Sequence, residues 1–448
     1  MKRALFAVSI LIYFFYFAGE GLNAGFSQDD LMNMYQSWRH PISRHLLDIV
    51  LFFQVSPTFR PLGSLFYRVL FEVFGFHPLP FRIACYGLLL LNLLLAYKLT
   101  RRLTGSCEAA AWTVLLYAFH PQFFSLYSST GYCYDLLCAT FYFSALLYYL
   151  NMREAGWKQI AAWSGLYILC LNSKEMAVTL PVMIAVYELL TTPRIRRGLI
   201  PLTGGVLTAL FIFGRVLRAQ GLTANDAYRP VLQVGVYLSH GHRFLSEAVY
   251  QSENLGPAAA CLILAFCFAM AFRFRLLPLR FGLAWMLIGI LPVAFIEQRG
   301  FDAVTIPALG LALFVATLIA RARQILAWRV RPTFGLAAGF LLIAAAHSTY
   351  GQLPFREANE HSRLILNVHK ELLRFRCAHP TGHRLLFVRD PFPDFEWATT
   401  FLVYLTYRDA GVYVKRLDWL VSQHLREQAR DFDHHLSWKD GRLEGSGR

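Results

Sequence analysis

The sequence predicts a polytopic α-helical membrane protein with a small α/β domain at its C-terminal end. Three observations carry this. Of 448 residues, 56% are apolar and only 16% charged, where a soluble globular chain has roughly 45–50% and 25%. Eleven apolar runs approach or reach the ~20 residues that a bilayer-crossing helix needs. The basic residues between these runs fall on alternate connections, as orientation in a membrane requires. A water-soluble enzyme is thereby excluded. So are a collagenous or disordered chain and a disulfide-stapled secreted one, because 8 Cys in this length are sparse.

The runs lie near 4–19, 79–98, 108–125, 133–150, 159–172, 176–191, 199–217, 257–272, 281–296, 303–320 and 333–349. With the N-terminus inside, the inner connections carry Lys2 and Arg3; Lys98, Arg101 and Arg102; Arg153 and Lys158; Arg194, Arg196 and Arg197; Arg273, Arg275 and Arg280; and Arg321, Arg323, Arg329 and Arg331. The short outer connections hold only Lys174 and Arg299. A split of 17 to 2 places the N-terminus in the cytoplasm. It also explains the net charge of +15 without a nucleic-acid partner. Met1-Lys2-Arg3 and the apolar stretch behind it have the shape of a signal peptide. The alternation works with this run in place, so it reads as an uncleaved first span. An odd number of spans then leaves residues 20–78, 218–256 and the tail from about 350 outside.

Within the first outer stretch, Phe59-Arg60-Pro61-Leu62 leads into Phe66, Tyr67, Val69, Leu70, Val73 and Phe74 at helical spacing. This predicts an amphipathic helix in the outer interface, opened by a proline. In the tail, Leu385-Leu386-Phe387-Val388 and Val412-Tyr413-Val414 read as strands around a helix near 396–407. The chain therefore divides into a membrane module, 1–349, and a C-terminal domain, 350–448. Cys85, Cys138, Cys170, Cys261 and Cys267 read as small hydrophobes in apolar spans, and Cys377 in the outer tail gives no reason to expect a disulfide.

Ionisable groups at membrane depth are costly and point to function. Asp29 and Asp30 follow the first span. Adjacent carboxylates point different ways, so one can act as a base while its neighbour binds a metal or an acceptor; the plainer reading is a helix start with Ser27 as cap. Arg60 has the guanidinium fork that matches phosphate oxygens, or it snorkels to headgroups. Asp135 opens the fourth span, His120-Pro121 closes the third, and Lys174-Glu175 fill the tiny loop before the sixth. Each alone suits a cap or a local pair; together they occupy one level, on the side of Asp29 and Asp30. His240, His242 and Glu247 offer part of a metal site if their loop is irregular, since an i, i+2 spacing splits two imidazoles across a helix. A divalent ion is thus the one cofactor to consider.

Read in order, these stretches resemble the GT-C superfamily of polytopic glycosyltransferases. The likeness is closer to its protein O-mannosyltransferase-like branch, which includes the transmembrane and TPR repeat-containing proteins. The matching residues are Asp29-Asp30; Phe59-Arg60-Pro61-Leu62 with Phe74-Gly75-Phe76-His77-Pro78; Phe119-His120-Pro121; Asp135-Leu136-Leu137; Ser173-Lys174-Glu175 running into Val178-Thr179-Leu180-Pro181; and, more loosely, Gln298-Arg299 with Pro307-Ala308-Leu309-Gly310. They span roughly residues 1–320. The resemblance implies a GT-C bundle, a sugar donor on a polyprenyl phosphate, Asp29 as base and Asp30 as its neighbour. It further implies Arg60, Lys174 and Arg299 as phosphate ligands and Asp135 as a positioning group, with His120 and Glu175 beside them. Phe123 and Ser125 stand where the family often has a second His and a Glu, extra residues precede Pro307, and the tail has no TPR signature.

The expected activity is an inverting transfer, at the extracytoplasmic face, from a polyprenyl-phosphate sugar to a hydroxyl of a protein or glycan, with membrane lipids as the other partners. A polymerase or ligase of lipid-linked glycans, or a transporter of lipid-linked sugar, is the alternative. The absence of any Asn-x-Ser/Thr sequon favours a bacterial inner membrane over the endoplasmic reticulum.

Overall fold

A computed structural model describes residues 2–56, 59–118, 120–191, 198–215, 229–250, 255–297, 299–325, 331–350, 353–379, 384–395 and 397–447. Phe119, Arg194, Arg196, Arg197, Gln298 and Arg329, all part of the sequence argument, lie outside these residues.

Each of the eleven apolar runs falls on helix. They become α1 (Lys2–Ala18), α5 (Pro78–Thr104), α6 (Cys107–Ala118), α8 (Cys133–Asn151), α9 (Trp157–Leu171), α10 (Leu180–Leu190), α11 (Leu199–Arg215), α13 (Pro257–Phe274), α14 (Leu277–Gly289), α15 (Thr305–Ile325) and α16 (Pro332–Tyr350). Among the described residues, six stretches are long and apolar enough to cross a membrane: Phe6–Asn23, Pro78–Thr104, Thr130–Asn151, Pro257–Phe274, Leu277–Ala294 and Phe301–Ile325. The chain is a multi-pass membrane protein. Three runs are cut by local chemistry. The third is split: α6 ends at Ala118, and the short α7 (Phe124–Ser128) follows His120-Pro121. The sixth opens with a tight turn, Glu175–Thr179, ahead of α10. The ninth breaks between α14 and the short turn Leu291–Ala294 at Pro292, which removes a backbone donor.

Between α1 and α5 lie three helices where one was expected: α2 (Gln28–Trp38), α3 (Ile42–Val50) and α4 (Pro61–Phe74). The expected amphipathic helix is α4, with Pro61 at its first turn. It buries Gly63, Ser64, Tyr67 and Phe71 and exposes Val69, Val73 and Phe74. In α3 the pattern is inverted: Ile42, Leu46, Leu47 and Val50 face outward while His45 and Asp48 are buried. That is the polarity of a helix lying at a lipid boundary. The outer loop around His240, which would have to be irregular to serve a metal site, is also helical, α12 (Val234–Ala248).

Polar groups lock the bundle where α1 ends. Arg82 of α5 is fully buried and its Nε donates to the Gly21 carbonyl at 3.0 Å. The Tyr86 hydroxyl donates to Ala18 O. Asn92 donates to Leu136 O at 3.0 Å and accepts from Thr140 at 2.8 Å, joining α5 to α8 inside the apolar layer. Arg102 reaches Asn151 at the far ends of the same two helices, and Arg323 of α15 forks onto Glu108 of α6. Along α8, Asp135 and Asn151 are separated by about 24 Å.

Helices α14 and α15 cross closely because both carry glycine at the contact. A Cβ at Gly310 would lie 2.8 Å from Trp285 Cβ and 3.0 Å from Gly282 O. Gly310→Val is therefore expected to cost about 1–3 kcal/mol, read as a lower thermal midpoint of the detergent-purified protein. An unchanged midpoint would contradict this packing.

The C-terminal portion has α17 (Leu353–Ala378), β1 (Arg384–Arg389), α18 (Ala398–Tyr407), β2 (Tyr413–Arg416), α19 (Leu417–Ser422), β3 (His434–Lys439) and β4 (Arg442–Gly447). The sheet order is β2-β1-β3-β4, parallel except for the β3/β4 hairpin. Both expected strands and the helix near 396–407 are present. The hairpin and α17 were not foreseen. Helix α18 packs on α2, where Tyr35 lies 4.8 Å from the Phe401 ring and 5.1 Å from that of Tyr404. Arg408 caps the same seam over Phe71, at 5.1 Å.

Candidate active site

The candidate site forms where α2, α4, the start of α8 and the loop before α10 meet. Helix α2 begins with a capping box: the Asp30 amide donates to Ser27 Oγ at 3.3 Å, and Asp30 Oδ2 accepts from the Ser27 amide at 2.7 Å and its hydroxyl at 2.9 Å. Asp30 Oδ1 accepts from the Tyr67 hydroxyl at 2.5 Å. Asp30 is thus fully buried with both oxygens engaged. Burial pushes its carboxyl up, while the Tyr67 and Ser27 hydrogen bonds and the Arg82 charge oppose this without cancelling it. Asp29 is different. Its side chain is open to solvent and no hydrogen-bond partner is found for it among the described residues. Partial desolvation in the cleft raises its carboxyl above the ordinary range. Gly131 opens the space beside both acids, since a Cβ there would stand 3.9 Å from Asp29 Cβ and from Asp30 Oδ1.

Lys174 and Glu175 are neighbours in sequence and diverge in space. Lys174 is extended, φ −161° and ψ 155°, so successive side chains leave on opposite sides. Lys174 Nζ meets Asp135 Oδ1 at 2.5 Å. Glu175 takes a two-point clasp from Arg60, Nε to Oε1 at 3.2 Å and Nη2 to Oε2 at 3.0 Å. Burial acts to raise the Glu175 carboxyl, but the Arg60 charge and hydrogen bonds outweigh it and hold it below the usual range. Arg60 also lies over the Tyr134 ring at 5.4 Å, and the Tyr134 hydroxyl donates to Asn33 of α2 at 3.1 Å.

Asp29, Asp30, Arg60, Asp135, Lys174 and Glu175 are therefore brought together. Two other expected residues are engaged elsewhere. His120 stacks on Phe301 at 4.5 Å, and its ring nitrogens are occupied by Ala248 O and the Gln122 amide. Arg299 lines a small pocket with His240, Arg243, Glu247 and Phe301. In α12, His240 bonds Ala294 O, His242 bonds Leu255 O and Glu247 pairs with Arg243, so the helix spends all three on local partners. Among the described residues, no three His, Cys, Asp or Glu side chains gather into a metal-holding group.

The sequence reading missed Asp302 and Arg215. Asp302 is buried in the turn Phe301–Val304, near Asp135 and Lys174. Arg215 ends α11, is 2% exposed, and donates to Phe52 O at 2.8 Å and Phe59 O at 3.0 Å, pinning the approach to Arg60. Each is an ionisable residue at the edge of an apolar run, and that was the available signal.

A carboxylate pair at the start of the first post-span helix, cations on the loops opposite it and a helical bundle beneath describe a polytopic membrane protein with a charged site at one end of its bundle. Comparison with solved structures shows which fold this is. The chain superimposes on ArnT from Cupriavidus metallidurans in its apo state with a TM-score of 0.53 and 16% identity, covering 99% of this chain and 97% of that one. Against the same protein bound to undecaprenyl phosphate, the TM-score is 0.51 at 14% identity, with the same coverage. Residues 56–217 match the family model described as dolichyl-phosphate-mannose-protein mannosyltransferase. Comparison of the sequence with curated proteins finds no match.

Proposed function

We propose that the protein transfers a sugar from a polyprenyl-phosphate donor to an acceptor hydroxyl, with inversion and with Asp29 as general base. The observation that carries this is the unequal pair on α2: Asp30 is consumed in holding the helix start, while Asp29 stands free beside it. Asp29 takes the proton of the acceptor hydroxyl as that oxygen bonds to the anomeric carbon. The bond from the anomeric carbon to the phosphate oxygen breaks on the far side, and its electron pair leaves with the phosphate. Arg60 and Lys174 stand ready for that growing charge. Support for a lipid-phosphate donor comes from two sides. The similar ArnT structure holds undecaprenyl phosphate, and the family model matching 56–217 is described by a dolichyl-phosphate sugar.

In this reading residues 1–349 are the catalytic module and 350–448 an extracytoplasmic domain on the side of the site. The 17-to-2 basic split supports a cytoplasmic N-terminus, and the bacterial inner membrane is the proposed compartment. The acceptor is a protein or glycan hydroxyl. The test is transfer of labelled sugar from polyprenyl-phosphate donors by the purified full-length protein. Turnover is the expected result. No transfer with any donor, with labelled lipid-sugar still crossing reconstituted vesicles, would replace this reading by transport.

A further inference from the structure

Asp302 has no place in the proton transfer just described. It sits at the base of α15 and is 6% exposed. The Ser125 hydroxyl and the Leu126 amide donate to its carboxyl group, yet Oδ1 finds no hydrogen-bond donor among the described residues. A buried carboxylate oxygen without a donor is costly, and such a group is retained where a ligand supplies the donor.

The surroundings say what kind of ligand. The Tyr132 phenol lies within electrostatic range of three carboxylates, Asp302, Asp135 and Asp29, so Asp302 and the free acid of α2 lie near the same ring. Lys174 lies near Asp302 but already holds Asp135 at 2.5 Å, and Arg60 is clasped by Glu175. Acids thus outnumber uncommitted cations around Tyr132. A phosphate is poorly matched to that corner. A neutral polyol is well matched, because its hydroxyls donate and Oδ1 is an acceptor without a donor.

We propose that Asp302 is a sugar-binding residue, its Oδ1 accepting a hydrogen bond from a hydroxyl of the glycosyl group being transferred. This rests on the reading above and assigns the sugar pocket within it: the phosphate belongs to the Arg60 and Lys174 side, the glycosyl hydroxyls to the Asp302 side. A carboxylate–hydroxyl bond made in such a place is worth about 10- to 100-fold in affinity.

The experiment compares full-length wild type with Asp302→Asn for binding of two probes: polyprenyl-phosphate mannose and polyprenyl phosphate lacking the sugar. Transfer from a panel of polyprenyl-phosphate hexoses is measured beside them. The variant is expected to bind the glycosylated probe about 10- to 100-fold more weakly, to bind the bare lipid phosphate as wild type does, and to retain its thermal stability, since Oδ1 has no donor to lose within the protein. Equal weakening of both probes, weakening of neither, or a lower thermal midpoint without a difference between probes would overturn the assignment while wild-type transfer persists. Failure of the wild type to bind or use any hexose of the panel would instead remove the functional reading, and the assignment with it.

Discussion

Asp29→Asn is expected to slow sugar transfer by about 10²–10⁴-fold, the usual contribution of a positioned general base, with no change in thermal midpoint. The structure gives the reason for the second half. Asp29 is open to solvent and makes no hydrogen bond to the described residues, so the amide disturbs nothing. Asp30→Asn should behave in the opposite sense. It weakens the capping box and the Tyr67 contact, costing about 1 kcal/mol or more of stability, and slows transfer less. The acid limb of the wild-type rate profile provides a second check. Only ionised Asp29 accepts a proton, and its carboxyl is raised by desolvation. Activity should therefore fall with decreasing pH at a higher pH than an ordinary carboxylate would give, and the residual activity of Asp29→Asn should lack that limb. Full transfer by Asp29→Asn would refute the base assignment.

The second large effect belongs to Lys174. Its ammonium group lies 2.5 Å from Asp135, with side chains 15% and 6% exposed. Lys174→Met leaves the Asp135 charge buried and unpaired, which costs about 3–5 kcal/mol. The double variant Lys174→Met with Asp135→Asn removes both charges and should restore most of that stability. Transfer distinguishes a merely structural pair from one that also meets the leaving phosphate. If Lys174 steadies the phosphate, the double variant is stable and still severely impaired. Recovery of transfer along with stability would show that the cation serves only Asp135.

Much of the bundle was legible in the sequence because composition alone marks membrane helices. A run such as 133–150 is apolar on every side, and its structural counterpart, Cys133–Asn151, differs by one residue at its C-terminal end. Helix ends inside long runs were less legible, since α6 stops at Ala118 through a local His-Pro effect. The level shared by Asp29, Arg60, Asp135 and Lys174 was readable from span ends. The pairings were not. Arg60 and Glu175 are 115 residues apart, and nothing local links them. A metal role for His240, His242 and Glu247 depended on an irregular outer loop; the segment is instead helix α12, which exposes Val234 and Leu238 and buries Phe244, Leu245 and Ala248. Asp302 escaped because it abuts an apolar run whose length dominated the reading, and sequence level alone did not show that His120 stacks on Phe301 or that Arg299 lines the pocket beside His240.

The packing of α18 on α2 also sets a timetable. Tyr35, whose ring meets Phe401 and Tyr404, leaves the ribosome about 370 residues ahead of them, and at ~5–20 residues per second that interval is on the order of 20–70 seconds. Throughout it, the helix bearing Asp29 and Asp30 has one side uncovered. The last helices made are therefore the ones that finish the first one exposed, and a chain cut short before Ala398 carries every residue of the candidate site without the surface that steadies it.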